Sequence, residues 1–318
     1  MTKIRFGLIT GIWLIGINCF YSNAQSQSDY YRQSSEKFMH KKYEDALVAI
    51  NKAINLDTSK AEYYVMRAEI AYRLGNFNKT IEDCYKAQSL HPDMPDVYFL
   101  RAEVCLITKS YRGAMLFFNK AIERYTEKDK LFKSYISRGK VYAAMEKYSE
   151  AIGDFMKADS LWPDSLSQLT PLADSYIKLN KLPEAEFILE RILDRDAENV
   201  IANKLYGDIY FDRKNYERAA HSYENYVLYK PNDISVLNKL AQSFMLQKKY
   251  KKAILYINKS LSQDPKNSET NKIRGLLFLA IDNKEEGCNC LFRALEQGYI
   301  DQYGYDLLEI YTQNCEDN

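Results

Sequence analysis

The chain has 318 residues, of which 46% are hydrophobic and 27% are charged, a composition typical of a folded protein. Its 12 glycines and 7 prolines are too few to punctuate the many short strands of a β-sandwich or barrel. The formal net charge of +1 provides little attraction for phosphate groups, so we expect no nucleic acid as a main partner.

Residues 1–24 have the pattern of a secretory signal peptide. Two basic residues precede an unbroken apolar run over 6–17, which is too short to span a bilayer. Ser22 and Ala24 place small residues just before a predicted cleavage site at Gln25. An uncleaved membrane anchor is the alternative, and it is the only membrane contact that we expect. The pattern predicts an exported protein, periplasmic or on the outer surface of a bacterium of Gram-negative type.

A period of 34 residues runs through the rest of the chain. Small residues recur in one register, and only the step from Ala114 to Ala151 is longer, at 37. This series is Ala46, Thr80, Ala114, Ala151, Ala185, Ala219, Ala253 and Gly287. The period predicts a repeat array over 25–301 with eight units, approximately 27–60, 61–94, 95–128, 132–165, 166–199, 200–233, 234–267 and 268–301. The three extra residues fall in Tyr125–Leu131, where we expect a longer loop, an extended helix end or a bend.

The unit is similar to the tetratricopeptide repeat, a pair of helices with the pattern W-x2-L-G-x2-Y, then A-x3-F, then Pro. The fourth unit matches best, with Tyr135, Arg138, Gly139, Tyr142, Ala151, Phe155, Ala158 and Pro163. The resemblance implies an all-α, right-handed α-α superhelical solenoid of about eight helix pairs. Gly139 and Gly207 must be small because the two helices of a pair approach closely there. Residues 302–318 are predicted to be a capping helix and tail, with an apolar face of Tyr303, Leu307, Leu308 and Tyr311.

The sequence contains no recognisable set of catalytic or metal-binding residues. His40, His91 and His221 lie in three different units without a neighbour at ligand spacing. There is neither a glycine-rich phosphate loop nor a G-x-S-x-G motif. We therefore expect no enzyme activity, no cofactor and no metal.

Two cysteine pairings are open, because an exported protein folds where disulfides form. Cys84 and Cys105 lie at apolar positions of adjacent units, either as buried thiols or as a bridge. Cys288 and Cys290 are roughly 200° apart on a helix, so only one of them faces the interior. Either one has Cys315 of the tail as its candidate partner.

The resemblance also implies where a partner binds. In this family the first helix of each unit lines a concave groove, in which peptides or partner helices lie. By register, the predicted groove residues are Glu62, Glu69, Tyr72, Arg73, Phe99, Glu103, Leu106, Ile107 and Phe211. Chaperone-binding members hold a peptide carboxylate with a clamp of Lys, Asn and Arg. The matching positions of this chain are acidic and apolar, so the clamp is absent.

These features predict a non-enzymatic scaffold or adaptor in the bacterial cell envelope that binds a protein or peptide partner. Asp96 and the acidic members of the groove set rim an apolar floor, so we expect the partner to offer a basic, partly hydrophobic segment. The alternative is a module that binds a small molecule or a glycan. Its aromatic platform would be Tyr72, Phe99 and Phe211.

Overall fold

The structure, a computed structural model, describes residues 27–163 and 165–315. Every regular element among these residues is a helix, and consecutive helices pack against each other in pairs. The prediction of an all-α protein built from helix pairs is confirmed. The predicted signal peptide and its cleavage site lie outside the described residues.

The described residues form eight helix pairs followed by two short helices. The first helices are α1 over 27–39, α3 Ala61–Arg73, α5 Pro95–Ile107, α7 Lys128–Ala144, α9 Leu166–Lys178, α11 Val200–Asp212, α13 Ile234–Leu246 and α15 Ser268–Ala280. The second helices are α2 Tyr43–Leu56, α4 Phe77–Leu90, α6 Tyr111–Arg124, α8 Tyr148–Leu161, α10 Leu182–Arg195, α12 Tyr216–Tyr229, α14 Tyr250–Gln263 and α16 Lys284–Glu296. The last two helices are α17 Tyr299–Tyr303 and α18 Asp306–Cys315. All these helices divide into two compact units: unit one contains α1–α8, and unit two contains α9–α18.

The turn inside each pair contains one residue with a left-handed backbone. In the second pair this is Gly75, with a φ of +76°. In the other seven pairs it is not glycine: Lys41, Lys109, Glu146, Asn180, Lys214, Lys248 and Asp282. The left-handed residue lets the chain fold back on the helix end, so that the N–H of Ser110 donates to the carbonyl of Cys105 at 2.8 Å.

The two helices of a pair approach closely at the predicted small positions. A Cβ atom on Gly139 would lie 2.6 Å from the ring of Phe155, and one on Gly207 would lie 2.6 Å from the ring of Tyr223. Both rings are fully buried. The prediction that these positions must be small is therefore confirmed.

The three extra residues between the third and fourth repeats lengthen a helix. Helix α7 has 17 residues, whereas α3 and α5 have 13 each. The added first turn places Lys130 beside Asp96, at an Nζ–Oδ1 distance of 2.9 Å. Of the three possibilities that the sequence allowed, the extended helix end is the one that forms. The division between the units lies at Pro163, one repeat beyond the insertion.

Helix α18 covers the end of α16. Leu307 is fully buried, and Tyr311 packs against the same apolar cluster. Tyr303 and Leu308 are exposed, so the predicted apolar face of the cap is corrected. Tyr303 is the last residue of α17 and is followed by Gly304, which has a φ of +97°. Leu308 follows Leu307 by about 100° around the helix.

The five cysteines of the described residues form one disulfide and three free thiols. Cys288 of α16 and Cys315 of α18 form a disulfide, and Cys290 is a buried free thiol. Cys84 and Cys105 are also free. Burial raises the pKa of Cys84 to about 12, so its thiol stays protonated at neutral pH.

Candidate partner-binding face of unit one

The first helices of unit one lie side by side, since α3 contacts α5 and α5 contacts α7. Residues 34 apart hold the same place in successive repeats, so Glu69 of α3 matches Glu103 of α5 and Tyr72 matches Leu106. We call the surface of these helices the first-helix face. It is defined by Tyr31, Glu62, Glu69, Tyr72, Arg73, Asp96, Phe99, Glu103, Leu106 and Ile107.

A hydrogen bond joins α3 to α5 in this face. The hydroxyl of Tyr72 donates to Oε2 of Glu103 at 2.8 Å. Burial raises the pKa of Tyr72, and the charge of Glu103 raises it further, so the tyrosine remains a donor at neutral pH. The other oxygen of Glu103, Oε1, is buried and has no hydrogen-bond partner among the described residues. Glu103 therefore keeps one acceptor oxygen unused.

The carboxylate of Glu69 lacks direct partners. It is half-buried, and no hydrogen bond or ion pair reaches it from residues 27–163. Burial raises its pKa, while the charges of Arg73 and Lys133 oppose the rise without reaching ion-pair distance. An unpaired, partly desolvated carboxylate is costly in a folded protein unless something else compensates its charge.

Tyr31 of α1 extends the face by one repeat. Its ring stacks on Tyr63, with ring centroids 5.2 Å apart. Burial raises the pKa of Tyr31, and so do the charges of Glu62, Glu69 and other nearby carboxylates. The sequence prediction missed this residue. The register contained the signal, because Tyr31 precedes Phe99 by two periods of 34.

Asp96 is the acid of this face that is paired with a cation. Lys130 lies 2.9 Å from its Oδ1, and the hydroxyl of Tyr125 donates to the same atom at 3.0 Å. Burial and the charge of Asp96 raise the pKa of Tyr125, which therefore stays protonated. The charge of Asp96 is thus compensated, whereas those of Glu69 and Glu103 are not paired with a cation.

Apolar side chains form the floor between these polar groups. Phe99 packs edge-on against Phe118, with ring centroids 5.8 Å apart, and Leu106 packs against the same core cluster. The ring of Tyr72 packs against that of Phe77, with ring centroids 6.1 Å apart. The side chain of Ile107 is 48% exposed. Phe99 and Tyr72 are half-buried and packed on neighbouring rings. Phe99 and Tyr72 thus form the packed floor of the face, whereas a glycan site is expected to have a freely exposed aromatic platform.

Phe211, the remaining predicted residue, lies on α11 of unit two. It packs against Tyr216 and Tyr223, with centroid distances of 5.8 and 6.5 Å. It belongs to the large apolar cluster of that unit and is half-buried. Its role in a binding site remains a prediction.

Asp208 shows what the position of Glu69 looks like when it is satisfied. Its carboxylate accepts hydrogen bonds from Lys239 at 2.6 Å, from Tyr223 at 2.8 Å and from Lys204 at 3.1 Å. Burial by itself would raise the pKa of Asp208, but these donors outweigh it and lower the pKa. Asp208 of unit two is therefore a structural acid with three donors, whereas Glu69 at the same repeat position in unit one has none.

Residues 27–163 and 165–315 contain no group of His, Cys, Asp and Glu side chains able to hold a metal ion. Within those ranges no helix is long and apolar enough to cross a membrane.

Two protein-family models match the chain. The first describes the tetratricopeptide repeat and matches residues 61–94 and 132–165, the bounds predicted for the second and fourth units. The second describes the C-terminal ARM domain of tetratricopeptide repeat protein 21 and matches residues 165–275.

Similar proteins include an Hsp70-Hsp90 organizing protein of Triticum aestivum, 24% identical over 235 residues. The match covers 63% of this chain and 40% of the wheat protein, so the chain spans less than half the length of that relative. Among solved structures, pilF of Pseudomonas aeruginosa superposes with a TM-score of 0.62 at 17% identity, over 70% of this chain and 99% of pilF. PilW, a type IV pilus biogenesis factor, gives a TM-score of 0.59 at 18% identity, over 69% of this chain and 98% of PilW. At these identities the likeness is one of fold.

Proposed function

The chain belongs to the tetratricopeptide-repeat proteins, and on that premise we propose that it is a non-enzymatic scaffold whose first-helix face in unit one binds an extended segment of a protein partner. One observation carries the proposal. Oε1 of Glu103 is buried without a donor, and half-buried Glu69 at the same repeat position receives no hydrogen bond or ion pair from unit one, beside an apolar floor. The proposed partner-binding residues are those of the first-helix face, and Phe211 of unit two is a separate candidate.

The chemistry of this face favours a basic side chain. A lysine or arginine of the partner, placed between Glu69 and Glu103, would supply the donors that both carboxylates lack. A charge-assisted hydrogen bond is stronger than a neutral one, and partial burial weakens its screening by salt. The aromatic floor of Tyr72 and Phe99 would bury the apolar part of the same segment and provide most of the affinity.

The repeat position of Glu69 also sets a direction for the bound segment. It is acidic in α3 and α5, but in α7 it is Lys140, which is exposed. Lys133 lies on the same helix and is exposed as well. A segment that is basic at one end and acidic at the other would therefore bind in one orientation, with its acidic end over α7.

The cell envelope of a bacterium is the proposed location. The support is the N-terminal pattern, in which a basic start precedes the apolar run over 6–17 and Ala24 precedes the cleavage site. PilW is a pilus biogenesis factor, and its fold resembles that of this chain. A protease-protection assay on intact cells tests the location, and protein resistant to protease after removal of the outer membrane would contradict it.

Selection from a library of random peptides tests the partner chemistry. We expect the selected peptides to be enriched in Lys or Arg next to an aromatic or aliphatic residue. Binding of a selected peptide should weaken by about tenfold or more in the double variant Glu69→Gln/Glu103→Gln, which keeps the shape of both side chains. The matched control is Glu44→Gln/Asp45→Asn, which removes the same charge from exposed residues of α2.

Three outcomes would contradict the proposal. Peptides without enrichment in basic residues would exclude the predicted chemistry. Equal weakening by both double variants would reduce the effect to net charge. Loss of binding in Phe211→Ala, with full binding in the Glu69→Gln/Glu103→Gln variant, would place the site in unit two.

A further inference from the structure

An arginine recurs on the first helix of three successive repeats in unit one. Arg67 and Arg138 each bind a buried aspartate of their own pair through two hydrogen bonds. The bonds of Arg67 to Asp83 are 2.7 and 2.8 Å long, and those of Arg138 to Asp154 are both 2.7 Å long. An asparagine of the preceding pair accepts from Nη1 of each arginine, at 2.9 and 2.7 Å. Each of these two guanidinium groups therefore has a carboxylate and an amide partner within the protein.

Arg101 holds the same place in the third repeat, but both of its partners have been replaced. The position of Asp83 and Asp154 is Phe117, and the position of the asparagines is Tyr85. The guanidinium carbon of Arg101 lies 4.1 Å from the centroid of Phe117 and 4.7 Å from that of Tyr85. An arginine that is ion-paired in the repeats on either side therefore lies between two aromatic rings, without a carboxylate.

The remaining bonds of Arg101 are weak. Its Nη1 donates to Oε1 of Gln88 at 3.2 Å, and its Nη2 donates to the hydroxyl of Tyr85 at 3.4 Å. Its Nε makes no hydrogen bond within residues 27–163. Aromatic rings attract the flat faces of a guanidinium but leave its N–H edge available. Arg101 thus has donors to spare on the edge that its counterparts use for aspartate.

Further cations continue this surface. Gln88 also donates to the hydroxyl of Tyr98 at 3.1 Å, and the ring of Tyr98 lies 5.6 Å from Nζ of Lys120. Lys120 forms no ion pair within unit one. We call this group the Arg101 cluster, defined by Tyr85, Gln88, Tyr98, Arg101, Phe117 and Lys120. At the edge of the cluster, Arg124 lies over the ring of Tyr98 and is 4.0 Å from Asp93 and 3.6 Å from Glu123.

We propose that the Arg101 cluster binds a carboxylate side chain of an acidic protein segment, in the place that Asp83 and Asp154 fill in the neighbouring repeats. The carboxylate would meet the free edge of Arg101 in the bidentate geometry that this chain already uses twice. Lys120 would add a second cation, and the exposed ring of Tyr85 would cover one side of the ion pair.

The donors of the cluster favour a carboxylate over a phosphate. Phosphate sites in helical proteins commonly use backbone N–H groups at a helix N-terminus. Arg101 is the seventh residue of α5 and Lys120 the tenth of α6, so every donor here is a side chain in the middle of a helix. One planar guanidinium edge between two rings fits a planar carboxylate.

The Arg101 cluster is separate from the proposed groove site. Arg101 is two residues from both Phe99 and Glu103, which corresponds to roughly 200° around the helix axis. It faces α4 and α6, whereas those two residues belong to the first-helix face. The two sites have opposite charge, and either can fail experimentally without the other.

The test selects short random peptides that the unaltered protein retains and that Arg101→Met does not. Methionine keeps an unbranched apolar side chain between the two rings but removes the donors. We expect the retained peptides to be enriched in Asp and Glu. One enriched peptide, labelled with fluorescein, should bind about tenfold or more weakly to Arg101→Met. Arg112→Gln, an exposed arginine on α6 without an ion pair, is the matched control and should bind almost normally.

A second variant restores the arrangement of the neighbouring repeats. Phe117→Asp would give Arg101 an internal carboxylate, and binding of the same peptide should be lost while the helical circular dichroism spectrum is retained. Peptides without acidic enrichment, or equal weakening by Arg112→Gln, would overturn the proposal. So would Arg101-dependent sedimentation with phosphatidylserine vesicles in the absence of any acidic peptide, since that would make the ligand a lipid headgroup.

Discussion

A single repeat position in this protein holds four carboxylates, Glu69, Glu103, Asp174 and Asp208, and three of them have contrasting surroundings. Glu69 has no donor, Glu103 has Tyr72 on one oxygen only, and Asp208 has three donors. The pKa of Glu69 is raised by burial, whereas hydrogen bonds lower that of Asp208 despite its burial. From this difference we predict that Glu69 reduces the stability of the free protein.

Replacing Glu69 with Gln should therefore stabilise the free protein at neutral pH. The pKa of Glu69 in the folded protein lies above its pKa in the unfolded chain, so the native state holds the proton more tightly. The free energy of unfolding therefore falls as the pH rises from the unfolded-state pKa to the folded-state pKa. Above both pKa values, the full cost of keeping the ionised carboxylate of Glu69 partly buried reduces the stability of the folded protein. We expect Glu69→Gln to raise the free energy of unfolding at pH 7 by about 1 kcal/mol, and to leave it nearly unchanged below pH ~4.

Urea unfolding across this pH range, followed by circular dichroism, measures the effect. Glu44→Gln is the control, because Glu44 is exposed and unpaired and should change the profile little. A variant less stable than the parent at pH 7 would show that Glu69 has a structural partner and would weaken the case for the groove.

The sequence placed these acids on one face, because a period of 34 puts them in register. It did not reveal which of them are paired. Lys204 precedes Asp208 by four residues, and that contact can be read from helical spacing. Lys239 reaches the same carboxylate from the next repeat, 31 residues further along the chain, and Tyr223 reaches it from the paired helix. Contacts between helices depend on packing geometry that the period does not specify.

At the scale of the helix pair, two glycines of the fourth repeat have opposite surroundings. A Cβ on Gly139 of α7 would lie 2.6 Å from the buried ring of Phe155. A Cβ on Gly153 of α8 would meet nothing within 4 Å, and Gly153 is exposed. The first glycine is required by packing, while the second only lowers the helix propensity of α8.

These surroundings predict opposite effects of the same substitution. Gly139→Ala should lower the free energy of unfolding by about 1–3 kcal/mol, because Phe155 is enclosed and cannot move away without disturbing the core. Gly153→Ala should raise it by about 0.5–1 kcal/mol through helix propensity. Thermal unfolding of both variants checks the pair. If both alanines stabilised the protein, the close contact between α7 and α8 would be excluded.

The helices themselves were predictable, and their connections were less so. The register located each pair and its small residues because one interface repeats along the chain. It did not predict that Lys109, Glu146 and other long residues adopt left-handed backbone conformations in the turns, since such positions usually favour glycine or asparagine. Nor did it choose among the outcomes for the insertion. The added turn of α7 is held by Lys130 and Tyr125 on Asp96, and this contact forms between neighbouring repeats.

At the scale of the whole molecule, a repeat array needs an end that does not expose an apolar surface. Helix α18 provides this end in unit two, where Leu307 is buried in a cluster with Leu291, Ala294 and Tyr299. The disulfide between Cys288 and Cys315 fastens the last turn of α18 to α16 and closes a segment with a sequence separation of 27. A helix of only 10 residues is marginal by itself, so its attachment depends on this bond and on the cluster.

Removal of the bond should therefore loosen the end of unit two before the rest of it. We expect Cys288→Ser to lower the free energy of unfolding by about 2–4 kcal/mol, the usual contribution of a disulfide that closes a loop of this length. Hydrogen exchange should accelerate first in α18 and α16, because each repeat is stabilised mainly by its neighbours. Dithiothreitol should produce the same change in the unaltered protein and none in the variant, which separates the loss of the bond from an effect of serine. If exchange in α18 is already fast in the oxidised protein, the helix is not a stable cap. If the reductant destabilises both proteins equally, its target lies elsewhere.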